Sequence, residues 1–305
     1  MWILVFPIVV VLLVVSFVVL IALRKWKLSC IIGSIAIVIN WQTECFSLNV
    51  LCNTEKQKLR LLSYNLNGCL GAGSYINDKN NNIADLVSLM DSINADVVLL
   101  QEYYQTSNQL LIDSLKKRYN FIELQDSLNT GKALFSKFPL KVLEYLPQSQ
   151  SYVIEMEMES DTLYLINCYL HSNGISRVNS QEKYNGMMDL LGKYYADMHK
   201  GYNARHKQAT EIGLCVKNIS GNVIVCGDLN DIGGSRTISS IKTTKMRDAW
   251  WQAGCGYGHT YHLHNLYYRL DHCLYSGKIR PVRMKVIQSA KYSDHYPVVI
   301  DFTCR

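Results

Sequence analysis

Val223-Ile224-Val225-Cys226-Gly227-Asp228-Leu229-Asn230 reads as a buried strand that stops on a turn. The apolar run suits a strand covered on both faces, with the cysteine acting as a small hydrophobe. Gly, Asp and Asn all favour turns, and here they also set a carboxylate and an amide at the strand's carboxyl end. The arrangement recurs along the chain. Leu61-Leu62-Ser63-Tyr64 ends in Asn65-Leu66-Asn67-Gly68, and Val97-Val98-Leu99-Leu100 ends in Gln101-Glu102. Tyr164 to Leu170 ends in His171-Ser172-Asn173. Strand ends of this kind converge on one rim of a sheet, where α/β proteins place their sites.

Between these runs the chain alternates strand-like and helical stretches. Strands are expected at Leu59 to Tyr64, Asp96 to Leu100, Phe121 to Leu124, Ala133 to Ser136, Lys141 to Tyr145, Tyr152 to Met158 and Leu163 to Leu170. Four more follow at Asn222 to Cys226, Tyr268 to Tyr275, Val282 to Gln288 and Val298 to Phe302. Helices are expected at Ile83 to Ile93, Gln109 to Arg118, Gln181 to Met198 and Ala204 to Lys217. Meandering strands broken by helices point to a mixed α/β (α+β) sandwich rather than a doubly wound parallel sheet.

Taken singly, each strand-end residue has an ordinary reading: an exit into water, a turn, or a cross-strand ion pair at Arg269-Leu270-Asp271-His272. Together they form the inventory that phosphate-ester hydrolysis needs. A hard cation wants oxygen ligands, which Glu102, Asn65 and Asp294 supply, and it polarises a phosphoryl oxygen. Asp228 beside Asn230 is suited to orient and deprotonate a water. His171 and His295 are suited to stabilise developing charge or to protonate the leaving oxygen, with Asp271 fixing the tautomer of one of them and raising its pKa.

Composition constrains this reading only loosely. The net charge of +6 over 305 residues is mildly basic, less than expected of a domain whose whole surface tracks nucleic acid. The ten cysteines show no metal-binding spacing, which argues against a zinc site. Twenty tyrosines suit a β-rich fold. His259, His262, His264 and His272 read as loop or strand filler, and Trp250-Trp251 as core.

The first fifty or so residues differ from the rest. Trp2 to Leu23 carries no charge, and as one helix would be roughly 33 Å long, enough for a bilayer core of about 30 Å. Arg24, Lys25 and Lys27 follow with Trp26 among them, as on a cytoplasmic flank. Leu28 to Asn40 is a second uncharged stretch. The expectation is a membrane anchor over 1–52, of one or two transmembrane helices, ahead of a catalytic domain over 56–305. A two-helix hairpin would place that domain outside the cytoplasm.

The ordered motifs Ser-Tyr-Asn-Leu-Asn (63–67), Leu-Leu-Gln-Glu (99–102), Leu-His-Ser (170–172), Gly-Asp-Leu-Asn (227–230), Arg-Leu-Asp-His (269–272) and Ser-Asp-His-Tyr-Pro-Val (293–298) resemble the endonuclease/exonuclease/phosphatase superfamily of DNase I-like fold. Gly131 to Pro139 resembles another of its stretches. The resemblance runs from about Leu59 to the end. It implies a four-layer αββα sandwich of two packed mixed sheets with the site in a cleft at one edge. It implies Mg²⁺ (or Mn²⁺) held chiefly by Glu102, with Asn65 and Asp294 close by. By the same resemblance Asp228 and Asn230 position the water, Asp271 holds His295, His171 serves the phosphoryl or leaving group, and the loop with Thr260 and Tyr261 shapes substrate access.

The abasic-site endonuclease branch usually carries Tyr-x-Pro-Asn where this chain has Tyr169-Leu170-His171-Ser172. That favours the DNase I, sphingomyelinase and phosphatase-like branches. The expected activity is a metal-dependent phosphodiesterase of nuclease type. Its alternatives are a phospholipid or inositol-phosphate phosphoesterase and a catalytically inactive, membrane-tethered binding module. The expected partners are a phosphate-ester substrate (nucleic acid or phospholipid) and the membrane, with no obligate protein partner.

Overall fold

A computed structural model describes residues 6–49, 55–69, 79–103, 109–124, 131–158, 161–172, 187–242, 245–263 and 266–304. The chain opens on α1 (Phe6–Ala22) and α2 (Trp26–Thr43), then β1 (Ser47–Leu48) and β2 (Leu59–Asn65). Next come α3 (Lys79–Ile93), β3 (Val97–Gln101), α4 (Gln109–Lys116), β4 (Asn120–Leu124), β5 (Lys132–Ser136), β6 (Leu140–Leu146), β7 (Ser151–Glu157) and β8 (Thr162–Tyr169). The second half holds α5 (Met187–Asn218), β9 (Asn222–Asp228), α6 (Arg236–Lys242), β10 (Arg247–Asp248), α7 (Ala249–Ala253) and β11 (Cys255–Gly256). It ends with β12 (Tyr261–Leu263), β13 (Leu266–Tyr268), β14 (Asp271–Ser276), β15 (Ile279–Val286) and β16 (Val298–Cys304).

Two six-stranded sheets carry the fold, in the orders β15-β16-β2-β3-β5-β4 and β10-β14-β9-β8-β7-β6. Each is antiparallel except for one central pair, β2 with β3 and β8 with β9, which are parallel. Parallel neighbours need a long crossover, and α3 and α5 lie in those connections. The central strands therefore send their carboxyl ends in one direction within each sheet.

The period-2 alternation of strands decides which side chains face which layer. Leu59, Leu61, Val97 and Leu99 of one sheet meet Leu163, Leu165, Ile224 and Cys226 of the other in a core between the sheets. The intervening residues face outward. Leu62, Tyr64, Val98 and Leu100 pack under α3 and α4 through Leu86, Met90, Leu111 and Leu115. Ile166, Cys168, Val223 and Val225 pack under α5 and α6 through Ala209, Ile212, Val216, Ile238 and Ile241. Mixed sheets flanked by helices are the architecture the motifs implied. Followed toward the carboxyl ends, the inward positions turn polar: after Leu61 come Ser63 and Asn65, after Leu99 comes Gln101, after Leu165 comes Asn167, and after Cys226 comes Asp228. The rim of the inter-sheet core is thus polar by the same parity that makes its interior apolar.

The transmembrane expectation is corrected. Among the described residues no helix is long and apolar enough to cross a membrane. α1 ends at Ala22, and Arg24 takes a left-handed φ of 58° that turns the chain into α2. The 17 described residues of α1 span roughly 25 Å. α2 carries Lys27, Asn40 and Gln42 along with its apolar residues, and Gly33 packs on the Phe17 ring. Trp2 to Val5 lie outside the described residues. The membrane as a partner, the tethered character of the family member and the extracytoplasmic placement rested on that span, and they fall with it.

Two further boundaries differ. Where two helices were expected there is one, α5, which runs through Gly201, a residue buried in the structure; residues 173–186 lie outside the described residues. The expected strand Tyr268 to Tyr275 breaks at Arg269-Leu270, because Arg269 turns inward to pair with Asp248 at 3.0 Å.

Candidate functional site

The site is built on the rim just described. Asn65, the last residue of β2, donates from Nδ2 to Glu102 Oε1 and to Asp228 Oδ2, both at 3.0 Å, and so joins the two sheets. Asp228 ends β9, and its Oδ1 accepts from the backbone N–H of Asn230 at 2.9 Å. Asn230 Nδ2 donates to Asp228 Oδ2 at 3.0 Å and to the Leu170 carbonyl at 2.9 Å. Asp271 opens β14 directly opposite Asp228 in the antiparallel register. His295 precedes β16, which runs antiparallel to β2, so it arrives at the same rim. Its Nδ1 lies 2.7 Å from Asp271 Oδ2 and its Nε2 lies 3.7 Å from Asp228 Oδ2.

Backbone strain is concentrated here. Glu102, Asn230 and Asn67 adopt φ of 47°, 52° and 43°. Asparagine tolerates this conformation, but for Glu102 it costs on the order of 1–3 kcal/mol, a cost found mostly at functional sites. Gly227 has φ 137°, and a Cβ there would lie 2.1 Å from the Cys168 carbonyl oxygen, because the two residues are paired across β8 and β9. Gly227→Ala is therefore expected to destabilise the fold by at least ~2 kcal/mol. Urea unfolding measures this, and an unchanged midpoint would show that the strand ends relax freely.

The electrostatics follow from burial of like charges. Burial pushes the Asp228 carboxyl up to about 7; His295 opposes the rise and Asp271 adds to it. Burial works against the charged form of His295, yet Asp271 and Asp228 outweigh it and hold the imidazole up at about 10. Among the described residues, ligand atoms of Asp228, Asp271 and His295 all lie within 4.8 Å of one another. This buried Asp/Asp/His group is capable of coordinating a divalent metal.

The structure brings Asn65, Glu102, Asp228, Asn230, Asp271 and His295 into one hydrogen-bonded group. Asp294 is buried beside it; its carboxylate takes a 3.3 Å hydrogen bond from Ser293 Oγ, and its carbonyl accepts from His262 N–H at 2.9 Å. His171 sits on the same rim with its side chain exposed. Thr260 is buried, and its Oγ1 accepts from the N–H groups of Leu270 and Asp271 at 3.1 and 3.0 Å. Tyr261 bridges to His295, and their rings lie 5.1 Å apart.

Sequence reasoning passed over a second tier. Gln101 Nε2 donates to Asn167 Oδ1 at 2.7 Å, joining the sheets one layer below Asn65. The signal was available, since Asn167 interrupts an apolar run at the parity of Leu163 and Leu165. Arg205 and Gln208 on α5 hold His171 by its backbone at 2.9 Å each. His272, expected as filler, is buried, with Nε2 2.9 Å from the Asp231 carbonyl oxygen and Nδ1 2.9 Å from Arg269 Nη1.

The endonuclease/exonuclease/phosphatase family profile matches residues 62–295. The chain belongs to this family. Solved structures share the fold at low identity. TDP2 of D. rerio in complex with a single-strand DNA product is 19% identical, with a TM-score of 0.58 over 80% of this chain and 98% of that one. An endonuclease/exonuclease/phosphatase of Bacteroides vulgatus is 18% identical, with a TM-score of 0.60 over 82% and 100%. A mannosyl-6-phosphatase of Bacteroides thetaiotaomicron is 14% identical, with a TM-score of 0.57 over 81% and 100%. Comparison with curated protein sequences gives no match. The family fold and the Asp/Asp/His cluster are consistent with a metal-dependent phosphoesterase.

Proposed function

We propose that this member of the endonuclease/exonuclease/phosphatase family hydrolyses phosphate esters with Mg²⁺ or Mn²⁺, in a catalytic unit over 56–305. The observation that carries the reading is the hydrogen-bonded group of Asn65, Glu102, Asp228, Asn230, Asp271 and His295 at one polar rim. The donor set fits a hard cation, being rich in carboxylate oxygen, and among the described residues the buried Asp271 Oδ1 has no hydrogen-bond partner.

Glu102, with Asn65 and Asp294, is the set proposed to hold the ion. Asp228 already accepts three hydrogen bonds and Asp271 is engaged by His295, which leaves the half-buried Glu102 carboxylate the less committed ligand. Bound there, the ion supplies Lewis-acid polarisation of the phosphoryl oxygen. Asp228, oriented by Asn230, accepts a proton as a water oxygen bonds to phosphorus and the ester P–O bond breaks. His295, kept as imidazolium by Asp271, balances charge on the phosphoryl oxygens. His171 serves the phosphoryl group or returns a proton to the leaving oxygen. Tyr261 borders substrate entry against His295, while Thr260 fixes the Asp271 backbone.

The ester class rests on less. Among the structural neighbours, one is bound to a DNA product and another is a sugar phosphatase, so a phosphodiester of nucleic-acid type leads, ahead of smaller phosphomonoesters. The deciding experiment is a panel of DNA, RNA, phospholipid, inositol phosphates and sugar phosphates with the full chain. Hydrolysis should need Mg²⁺ and stop with EDTA. Glu102→Gln should raise the Mg²⁺ concentration needed for half-maximal rate, whereas Asp271→Asn should lower kcat at saturating Mg²⁺. The reverse pattern would move the ion to the Asp228, Asp271 and His295 group, and EDTA-resistant turnover would end the metal assignment.

A further inference from the structure

Helix α5 does more than cover a sheet. Its apolar stripe, Ala209, Ile212 and Val216, packs on the outer face of the second sheet. Arg205 lies one turn before Ala209 and Gln208 lies beside it, so the i, i+3, i+4 spacing keeps both on the packed face. Both reach the segment that leaves β8. Gln208 Oε1 accepts from the His171 backbone N–H at 2.9 Å, and Arg205 Nη1 donates to the His171 carbonyl at 2.9 Å. The preceding residue is fixed in the same way, with Leu170 N–H donating to the Asp228 carbonyl at 3.0 Å and the Leu170 carbonyl accepting from Asn230 Nδ2 at 2.9 Å. Arg205 is 3% exposed, and its Nε lies 3.6 Å from Asp231 Oδ2.

Taking a guanidinium out of water costs several kcal/mol. Here it is committed to the carbonyl of a residue whose own side chain is exposed. A surface turn would be satisfied by water; a backbone clamped on both sides by a helix that also grips the Asp231 segment keeps one residue in one place.

We propose that Arg205 and Gln208 are positioning residues that fix His171 at the rim held by Asp228 and Asn230. The proposal rests on the reading of His171 as a group that acts on the phosphoryl or leaving oxygen. Gln208 gives the cleaner test because it is only half-buried. Gln208→Glu keeps an acceptor for the His171 N–H, whereas Gln208→Met keeps the length without it.

The measurement is kcat and KM of the full chain on bis(p-nitrophenyl) phosphate with Mg²⁺, together with amide hydrogen exchange at His171. Gln208→Met should lower kcat by on the order of 10-fold, as small displacements of reacting groups do, and leave KM within about twofold. Gln208→Glu should restore most of the rate. In a His171→Ala background, Gln208→Met should change nothing further. Arg205→Lys should follow Gln208→Met, since a lysine loses the guanidinium's planar fork. Equal losses for Glu and Met, or losses that add to that of His171→Ala, overturn the proposal. If His171→Ala is as active as the parent while Asp228→Asn is dead, the clamp is refuted and the family chemistry stands. If the parent hydrolyses nothing, exchange decides: protection at His171 lost with Met and kept with Glu supports the clamp, and unchanged protection refutes it.

Discussion

Asp228→Asn is expected to lower kcat by about 10²–10⁴-fold with folding intact, the span over which a positioned acid-base group contributes. Asparagine retains the Oδ1 that accepts from Asn230 N–H, so the turn survives, but its Nδ2 no longer accepts from the Asn65 and Asn230 amides and it cannot take a proton from water. The same residue sets the acidic limb of the pH profile. Burial holds its carboxyl up at about 7, and a base works only when ionised, so kcat/KM should rise with pH through that region. His295 must stay protonated, and it is held at about 10 by Asp271 and Asp228 against the effect of burial, so activity should fall again as pH rises through that value. The two groups lie 3.7 Å apart, and the limbs therefore belong to the pair rather than to either residue. Asp271→Asn removes the partner that raises His295 and should bring the basic limb to lower pH. A full-rate Asp228→Asn protein would remove Asp228 from the chemistry.

Asp248→Ala is expected to cost about 3–5 kcal/mol of stability, as when one partner of a buried ion pair is removed. Its side chain is 0% exposed and Arg269, 3.0 Å away, is 2% exposed, so the guanidinium would be left in the interior without its counter-charge. Asp248 also caps α7 by accepting from Trp250 N–H at 2.7 Å. Asp248→Asn keeps that cap acceptor and should lose less. Although burial opposes its ionisation, Arg269 and His272 hold the Asp248 carboxyl below the usual carboxylate range. The pair's contribution is therefore present at neutral pH and fades only as the solution becomes strongly acidic. Urea unfolding of the three proteins measures the order, and an alanine variant within 1 kcal/mol of the parent, a near-surface value, would contradict the buried pair.

These two aspartates were not equally legible. Asp228 announces itself, because an apolar run ending in Gly-Asp-x-Asn is a local pattern and the chemistry needs a carboxylate beside an amide. Asp248 sits in Met246-Arg247-Asp248-Ala249 with nothing local to mark it, and its partner Arg269 stood out only as the first residue of the Arg269-Leu270-Asp271-His272 motif. Arg205 and Gln208 lay hidden for the same reason: their target, the His171 backbone, is more than thirty residues away. The amino-terminal misreading has a different origin. An uncharged stretch reports transfer energy but not helix length, and among the described residues no helix is long and apolar enough to cross a membrane.

Alternation and turn chemistry are local properties, and by themselves they placed most of the strands and the mixed sandwich class; the grouping of Asn65, Glu102, Asp228, Asn230, Asp271 and His295 rested on the chemical inventory of the strand ends and on the family resemblance. Only the tertiary structure decided how these residues face one another. It paired β14 antiparallel to β9 and so set Asp271 opposite Asp228, and it joined the two sheets through Asn65. Pairing register and sheet packing are choices among distant partners, made by burial over the whole core, and no short stretch of sequence records them.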